Sequence, residues 1–147
     1  RRPPRSTLFP YTTPSDLSLG MGSIAFTPLA QGLLTNKYLN GIPSDSRAMQ
    51  EKSLDRGRIA DALVEALRGL NAIAEARSQT LAQMALAWVL REGRVTSALI
   101  GASKPEQVVD CAGAIQNLEF SEDELRRINA YATDRDLNLW AASSELA

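Results

Sequence analysis

The sequence of 147 residues contains no histidine, and Cys111 is its single cysteine. One thiol cannot form an internal disulfide framework, and without histidine the usual residues of a zinc site are missing. The absence of histidine also removes the common general base for a serine or cysteine nucleophile, and no G-x-S-x-G or H-E-x-x-H motif occurs. The residues therefore indicate no centre for nucleophilic or zinc-dependent catalysis.

Long apolar runs and an excess of basic charge are also missing. No uninterrupted apolar stretch approaches the roughly 20 residues of a membrane-spanning helix, and the first residues lack the apolar core of a secretory signal. The 16 Lys and Arg residues are balanced by 17 Asp and Glu residues, so no positive field attracts a phosphate backbone. We therefore expect a cytoplasmic protein without membrane insertion and without a nucleic-acid partner.

The composition is otherwise that of an ordinary globular protein, with 44% hydrophobic and 22% charged residues. Residues 1–22 contain 4 of the 7 prolines and show no helical or strand periodicity, which predicts a disordered segment. Residues 23–147 are predicted to be the folded part.

Two short apolar segments predict strands. "SIAFT", residues 23–27, lies between Gly22 and Pro28, and "VTSALIGAS" covers residues 95–103. The residues between them predict a long irregular loop up to about residue 53 and then a helix from about 55 to 77. That helix is indicated by one apolar stripe: Leu63, Leu67, Leu70 and Ala74.

Three capping boxes predict the starts of three more helices: Thr80 with Gln83, Ser103 with Glu106, and Ser121 with Glu124. The first of these helices is predicted to end at Gly93, the second to turn Val108, Ala112 and Ile115 inward, and the last to carry Leu125, Ile128 and Ala132. The order of strands and helices is typical of βα units with a parallel sheet.

Two loops are candidate ligand sites. In "IGASKPEQ", residues 100–107, small residues precede a helix N-terminus, where backbone N–H groups and the helix dipole favour an anion such as phosphate. The other interpretation is a plain N-cap in a tight turn. "FTPLAQG", residues 26–32, is equally consistent with a simple loop after a strand, and Lys37 and Arg47 are either ligand-binding cations or solvated surface charges.

Other polar residues favour structural roles. The acidic cluster of residues 122–124 suits the first turn of a helix better than a metal site. Cys111, near the start of a helix, is interpreted as a small packed residue, with a lowered thiol pKa as the alternative.

Taken together, "IAFTPLAQGLLTNKYLNGIPSDSR", "TLAQMALAWVLREGRVTSALIGASKPEQ" and "LNLWAASS" resemble the C-terminal part of the aldo-keto reductase family, in the branch that includes the voltage-gated potassium-channel beta subunits. The resemblance implies an α/β fold, the C-terminal portion of a (β/α)8 TIM barrel. The two strands would correspond to about strands 7 and 8 of that barrel and would be followed by their helices. The isolated chain would be helix-rich.

The resemblance also implies an NADP(H) site. The pyrophosphate would be lined by Phe26, Thr27, Pro28, Leu29, Ala30 and Gln31, with Lys37 and Arg47 on a closing loop. The adenosine end with its 2′-phosphate would be held by Gly101, Ser103 and Gln107. Asp110 is a further candidate at the adenine. Related sequences have Glu-Asn where this one has Asp110 and Cys111, and an adenine contact from that Asn is missing.

The catalytic Asp, Tyr, Lys and His of the family lie on the first four strands, so the resemblance assigns no catalytic residue to this chain. We therefore expect a C-terminal fragment of an NADPH-dependent reductase of aldehydes and ketones that is inactive alone, the product of a truncated or incompletely represented gene. The alternatives are an NADP-binding or subunit-interaction module resembling the channel beta subunits, without turnover, and a small independent helical protein. Open strand edges favour association into oligomers.

Overall fold

The computed structural model describes residues 20–40, 61–93 and 95–133. Two strands, β1 (Ile24–Phe26) and β2 (Ser97–Leu99), pair in parallel, with Ala25 opposite Ala98. Both strands and their parallel pairing were predicted, although each is shorter than its apolar segment. The disorder predicted for residues 1–19 and the helical start predicted at residues 55–60 lie outside the described residues.

The described residues also form four helices. They are α1 (Asp61–Ala76), α2 (Leu81–Leu90), α3 (Pro105–Ala112) and α4 (Glu122–Tyr131). Short 3₁₀ segments cover Ala30–Gly32, Asn36–Tyr38, Arg91–Gly93 and Gly113–Gln116. The described part is therefore a helix-rich α/β structure, and none of its helices is long and apolar enough to cross a membrane.

The core lies between α1, α2 and α4. The apolar stripe predicted on α1 is buried in it, which confirms the periodicity argument. Tyr38, from the segment after β1, is only 1% exposed and belongs to the same cluster. The cluster consists of Leu33, Tyr38, Leu63, Leu67, Leu70, Ile73, Ala74, Leu81, Met84 and Ile128.

Gly69, in the middle of α1, is required by the packing of a side chain from α4. A Cβ atom at this position would lie 2.4 Å from ring atoms of Tyr131, at the end of α4. The glycine lowers helix propensity, but it allows the tyrosine ring to rest directly on the α1 backbone.

Two of the three predicted capping boxes are present, Thr80 with Gln83 on α2 and Ser121 with Glu124 on α4. The third prediction, Ser103 with Glu106, is wrong. Lys104 is the N-cap of α3, and the Ser103 N–H donates instead to Oε1 of Gln107 at 2.8 Å. The cause is Pro105, since a residue that precedes proline is held in extended backbone, which is the conformation of an N-cap.

The inward face predicted for α3 is also wrong. Val108 is 50% exposed and Ile115 is 63% exposed, and Ala112 is exposed as well. The face toward α2 carries Asp110, whose carboxylate and carbonyl accept hydrogen bonds from α2. Because α3 docks through these polar bonds, its apolar stripe faces solvent. On α4, Ile128 is buried as its position suggested, whereas Ala132 lies beyond the helix and is exposed.

Arg77, at the turn between α1 and α2, joins distant parts of the chain. Its side chain is 3% exposed and its Nη1 lies 2.8 Å from Oε1 of Glu124. The guanidinium also donates to Oε1 of Gln79 at 2.8 Å and to the carbonyls of Asn117 and Glu119, and it stacks 3.8 Å over the ring of Phe120. One side chain therefore fixes the connection from α3 to α4 against the end of α1.

The Arg77–Glu124 pair makes stability depend on pH. Burial raises the pKa of the Glu124 carboxyl, but hydrogen bonds from Ser121 and Arg77 together with the Arg77 charge outweigh this and hold the pKa below its ordinary value of 4.5. Because the pKa of Glu124 is lower in the folded chain than in the unfolded chain, its ionised carboxylate stabilises the fold above pH 4.5. This stabilisation is lost as the pH falls through the pKa of the folded chain. We expect Glu124→Gln to lower the thermal midpoint at pH 7, and this deficit to disappear on acidification.

Thermal unfolding followed by circular dichroism from pH 7 to pH 3 would measure this effect. Asp123→Asn is the matched control, because Asp123 is 65% exposed in an ion pair with Arg126 on the same helix turn. A deficit of Glu124→Gln that persists unchanged at the lowest pH would contradict the assignment.

Candidate functional site

The ends of β1 and β2 bring two loops to one edge of the sheet. Phe26 and Leu99, the last residues of the two strands, are partners in the parallel register. The chain therefore leaves both strands side by side, through residues 27–32 and 100–104. In α/β folds, ligands bind at this carboxyl edge of parallel strands.

The loop after β1 has an unusual backbone. Thr27, Ala30 and Gln31 have φ values of +54°, +48° and +56°, and Gly32 follows at +95°. Left-handed backbone costs about 1 kcal/mol or more at each non-glycine residue, and such conformations concentrate at ligand-binding sites. The loop is closed by hydrogen bonds from the N–H of Ala30 to the Thr27 carbonyl and from the N–H of Gly32 to the Leu29 carbonyl. These backbone hydrogen bonds hold the loop in its shape.

Gln31 places an unpaired acceptor inside this loop. Its Oε1 atom is buried and has no hydrogen-bond partner among the described residues. Burying a carboxamide oxygen without a partner costs about 1–3 kcal/mol. A ligand with an N–H or O–H donor would remove this cost.

The loop after β2 is open and leads into a helix N-terminus. Gly101, Ser103 and Gln107 are exposed, and a Cβ atom at Gly101 would meet nothing within 4 Å. The first turn of any α-helix presents N–H groups without intrahelical partners, which favour anions. Here the Gln107 side chain already accepts from the Ser103 N–H and hydroxyl. The two predicted residues therefore act on each other and order the turn.

The structure adds Lys104 to this loop. Its backbone is extended at φ −142° and ψ 146°, no side chain caps the helix there, and the residue is exposed. The sequence signal was the Lys-Pro pair, since proline at the first helical position makes the preceding residue the N-cap. Lys104 is thus a cation next to the candidate anion site.

The other predicted site residues lie as follows. Pro28 is buried, Leu29 is half-buried and Phe26 is 59% exposed. Lys37 is exposed in the 3₁₀ segment after β1, whereas Arg47 lies outside the described residues. Whether any of these residues contacts a nucleotide stays a prediction.

Asp110 and Cys111 lie farther along α3. The Asp110 carboxylate accepts from the Thr80 hydroxyl and from Nε2 of Gln83, at 3.3 and 3.1 Å. Its assignment to the adenine stays a prediction. Burial raises the pKa of the Cys111 thiol, and the Asp110 charge raises it further. The alternative of a lowered thiol pKa is therefore wrong.

The donors and acceptors of the two loops fit a dinucleotide. Open space beside Gly101, a helix N-terminus and Lys104 suit phosphate, and the Gln31 carboxamide oxygen suits an amide donor such as that of nicotinamide. In the described part of the chain, no group of three or more acidic, cysteine or histidine side chains is arranged to hold a metal ion.

Comparison with known proteins gives relatives for most of the chain. The model of the Aldo/keto reductase family matches residues 6–133. The L-glyceraldehyde 3-phosphate reductases of Escherichia coli O157:H7 and of Escherichia coli strain K12 are 54% and 55% identical to this chain over 130 residues. Each match covers 86% of this chain and 38% of the relative, so the chain spans well under half the length of these curated relatives.

A solved structure, that of a glycerol dehydrogenase from Gluconobacter oxydans, superposes with a TM-score of 0.60 at 24% identity over 80% of this chain and 36% of that protein. This likeness supports the fold, and the predicted relation to aldo-keto reductase barrels is confirmed at that level. With a family model that matches 128 residues, from 6 to 133, this chain belongs to the aldo/keto reductase family.

Proposed function

We propose that this chain is the cofactor-binding, C-terminal part of an NADPH-dependent aldo-keto reductase, with β1 and β2 as the seventh and eighth strands of the barrel. The observation that carries the proposal is the parallel register of β1 and β2, which brings the two exit loops to one edge of the sheet. The whole reductase would convert a small aldehyde or ketone to its alcohol.

Each loop has a distinct part in this proposal. The residues from Phe26 to Gln31 line the pyrophosphate, and the buried Gln31 oxygen accepts a hydrogen bond from the nicotinamide end. Gly101, Ser103 and Gln107 hold the adenosine end, with Lys37, Arg47 and Lys104 as the cations available to its phosphates. When bound, the reduced nicotinamide supplies hydride to the carbonyl carbon.

The same chain is proposed to lack the groups that complete the reaction. The family resemblance assigns the proton donor and its partners to other strands, and the sequence has no histidine. We expect binding of NADPH without reduction of an aldehyde by this chain alone. The relatives are reductases by name, which favours the cofactor-binding role over the alternative of a subunit-interaction module.

The first test is a titration of NADPH followed by its fluorescence. We expect saturable binding that Gly101→Val weakens at least tenfold, which corresponds to about 1.4 kcal/mol, because the added methyl groups would occupy the space open beside the loop. Ala112→Val, on an exposed position at the other end of α3, is the control and should leave the affinity unchanged.

The role of Arg47 is tested separately in the same assay. Arg47→Ala should weaken NADPH more than NADH, since only NADPH carries the 2′-phosphate. Absence of saturable NADPH binding by the native chain, or equal affinity of the Gly101→Val chain, would reject the proposed site.

A further inference from the structure

The contact between α2 and α3 is made by three polar side chains outside the candidate loops. Thr80 caps α2, Gln83 completes the capping box, and Asp110 faces them from α3. These residues hold the two helices together, while Val108, Val109 and Ile115 of the α3 region point away and are 50–73% exposed.

Both the oxygen and the nitrogen of the Gln83 carboxamide form hydrogen bonds. Its Oε1 accepts from the Thr80 N–H at 3.0 Å, which is the capping bond of α2. Its Nε2 donates to the Asp110 carbonyl at 2.9 Å and to the Asp110 carboxylate at 3.1 Å. One planar group therefore connects the first turn of α2 to the second turn of α3.

The space around Gln83 is fitted to this arrangement. A Cβ atom at Gly113, directly after α3, would lie 2.5 Å from Nε2 of Gln83. The missing side chain at residue 113 thus lets the carboxamide lie against the end of α3. The Thr80 hydroxyl, which accepts from the Gln83 N–H, also donates to Asp110 and holds its carboxylate from a second side.

We infer that Gln83, acting through Asp110, is a positioning residue that sets the place of α3 on α2 and thereby the place of the turn from Ser103 to Gln107. The placement of α3 follows from the contacts above, whereas its effect on cofactor affinity rests on the proposed function. Asp110 then holds the helix that carries the site, whether or not it also contacts a nucleotide.

The substitution Gln83→Glu separates this role from helix capping. A carboxylate still accepts from the Thr80 N–H, so the capping box of α2 is retained. The donor to Asp110 is lost, however, and an acceptor with negative charge faces the Asp110 oxygens instead. We expect backbone amides of α3 to exchange with solvent at least tenfold faster, those of α2 to be unchanged, and the Kd for NADPH to rise about tenfold.

A second substitution provides the rescue. In Gln83→Glu with Asp110→Asn, the new amide of residue 110 donates to the carboxylate of residue 83, so the side-chain bond is reversed, while the bond to the backbone carbonyl of residue 110 stays lost. We expect this double variant to recover part of the α3 protection and of the affinity. Gln116→Glu makes the same chemical change at an exposed site after α3 and should alter neither quantity.

Amide exchange of the nucleotide-free chain tests the placement of α3, and NADPH titration tests the effect of that placement on cofactor affinity. Native α3 protection in Gln83→Glu, or no recovery in the double variant, would overturn the inference. Lost protection with native affinity would overturn the link from α3 to the cofactor site. If the native chain binds no NADPH, the proposed function fails, while the exchange data still decide how α3 is placed.

Discussion

Replacing Arg77 by leucine should lower the free energy of unfolding by about 2–4 kcal/mol, less than the loss for a fully buried ion pair, because the Glu124 side chain is 25% exposed. The substitution keeps an apolar side chain next to Phe120 but leaves the Glu124 carboxylate without its cation. It also leaves the carbonyls of Asn117 and Glu119 without their donor. Urea unfolding followed by circular dichroism measures the change.

Arg126→Leu is the matched control, because Arg126 pairs with Asp123 at 74% and 65% exposure and such pairs contribute about 0–1 kcal/mol. Should Arg77→Leu fail to fold, Arg77→Lys gives a measurable intermediate. Lysine keeps the charge but not the planar set of donors, so a loss of about 1–3 kcal/mol is expected. Equal stability of the Arg77 and Arg126 leucine variants would refute the structural role of Arg77.

Replacing Tyr38 by alanine should destabilise the chain by about 3–5 kcal/mol, as for other large aromatic side chains removed from a core. Tyr38 is 1% exposed and carries the segment after β1 into the core cluster. The same segment is fastened to α1 by a hydrogen bond from Nε of Arg68 to the Leu39 carbonyl at 2.9 Å. Urea unfolding again provides the measurement.

Lys37→Ala is the control at the neighbouring, exposed position and should change stability by no more than about 0.5 kcal/mol. Because the loop of residues 27–32 leads directly into this segment, we also expect Tyr38→Ala to weaken NADPH binding at urea concentrations where the chain is still folded. A loss of less than about 1 kcal/mol would show that Tyr38 does not anchor the loop.

Features that depend on nearby residues could be predicted from the sequence. The capping boxes at Thr80 and Ser121 involve residues three apart, and the stripe on α1 repeats within one helix. The two strands were recognised because glycine and proline bound the first and β-branched residues begin the second. The candidate loops followed from the same local patterns and from the family resemblance.

Features that depend on contacts between distant segments could not be predicted in this way. Arg77 meets Glu124 across 47 positions, and nothing near Arg77 in the sequence indicates that it is buried. The orientation of α3 depends on Gln83, which lies 27 positions from Asp110, so the apolar stripe of α3 gave the wrong inward face. The left-handed backbone at Thr27, Ala30 and Gln31 had no signal either, since these residue types do not favour it.

The pairing of β1 with β2 has a consequence for the order in which the chain folds. Ser23 and Thr96, which bond at the start of the two strands, are 73 positions apart, so their contact closes a long loop. Three paired residues per strand return little free energy for closing such a loop, whereas the helices form early from local contacts. We therefore expect the strands to join last, so that the edge bearing both candidate loops is the final part of the molecule to assemble.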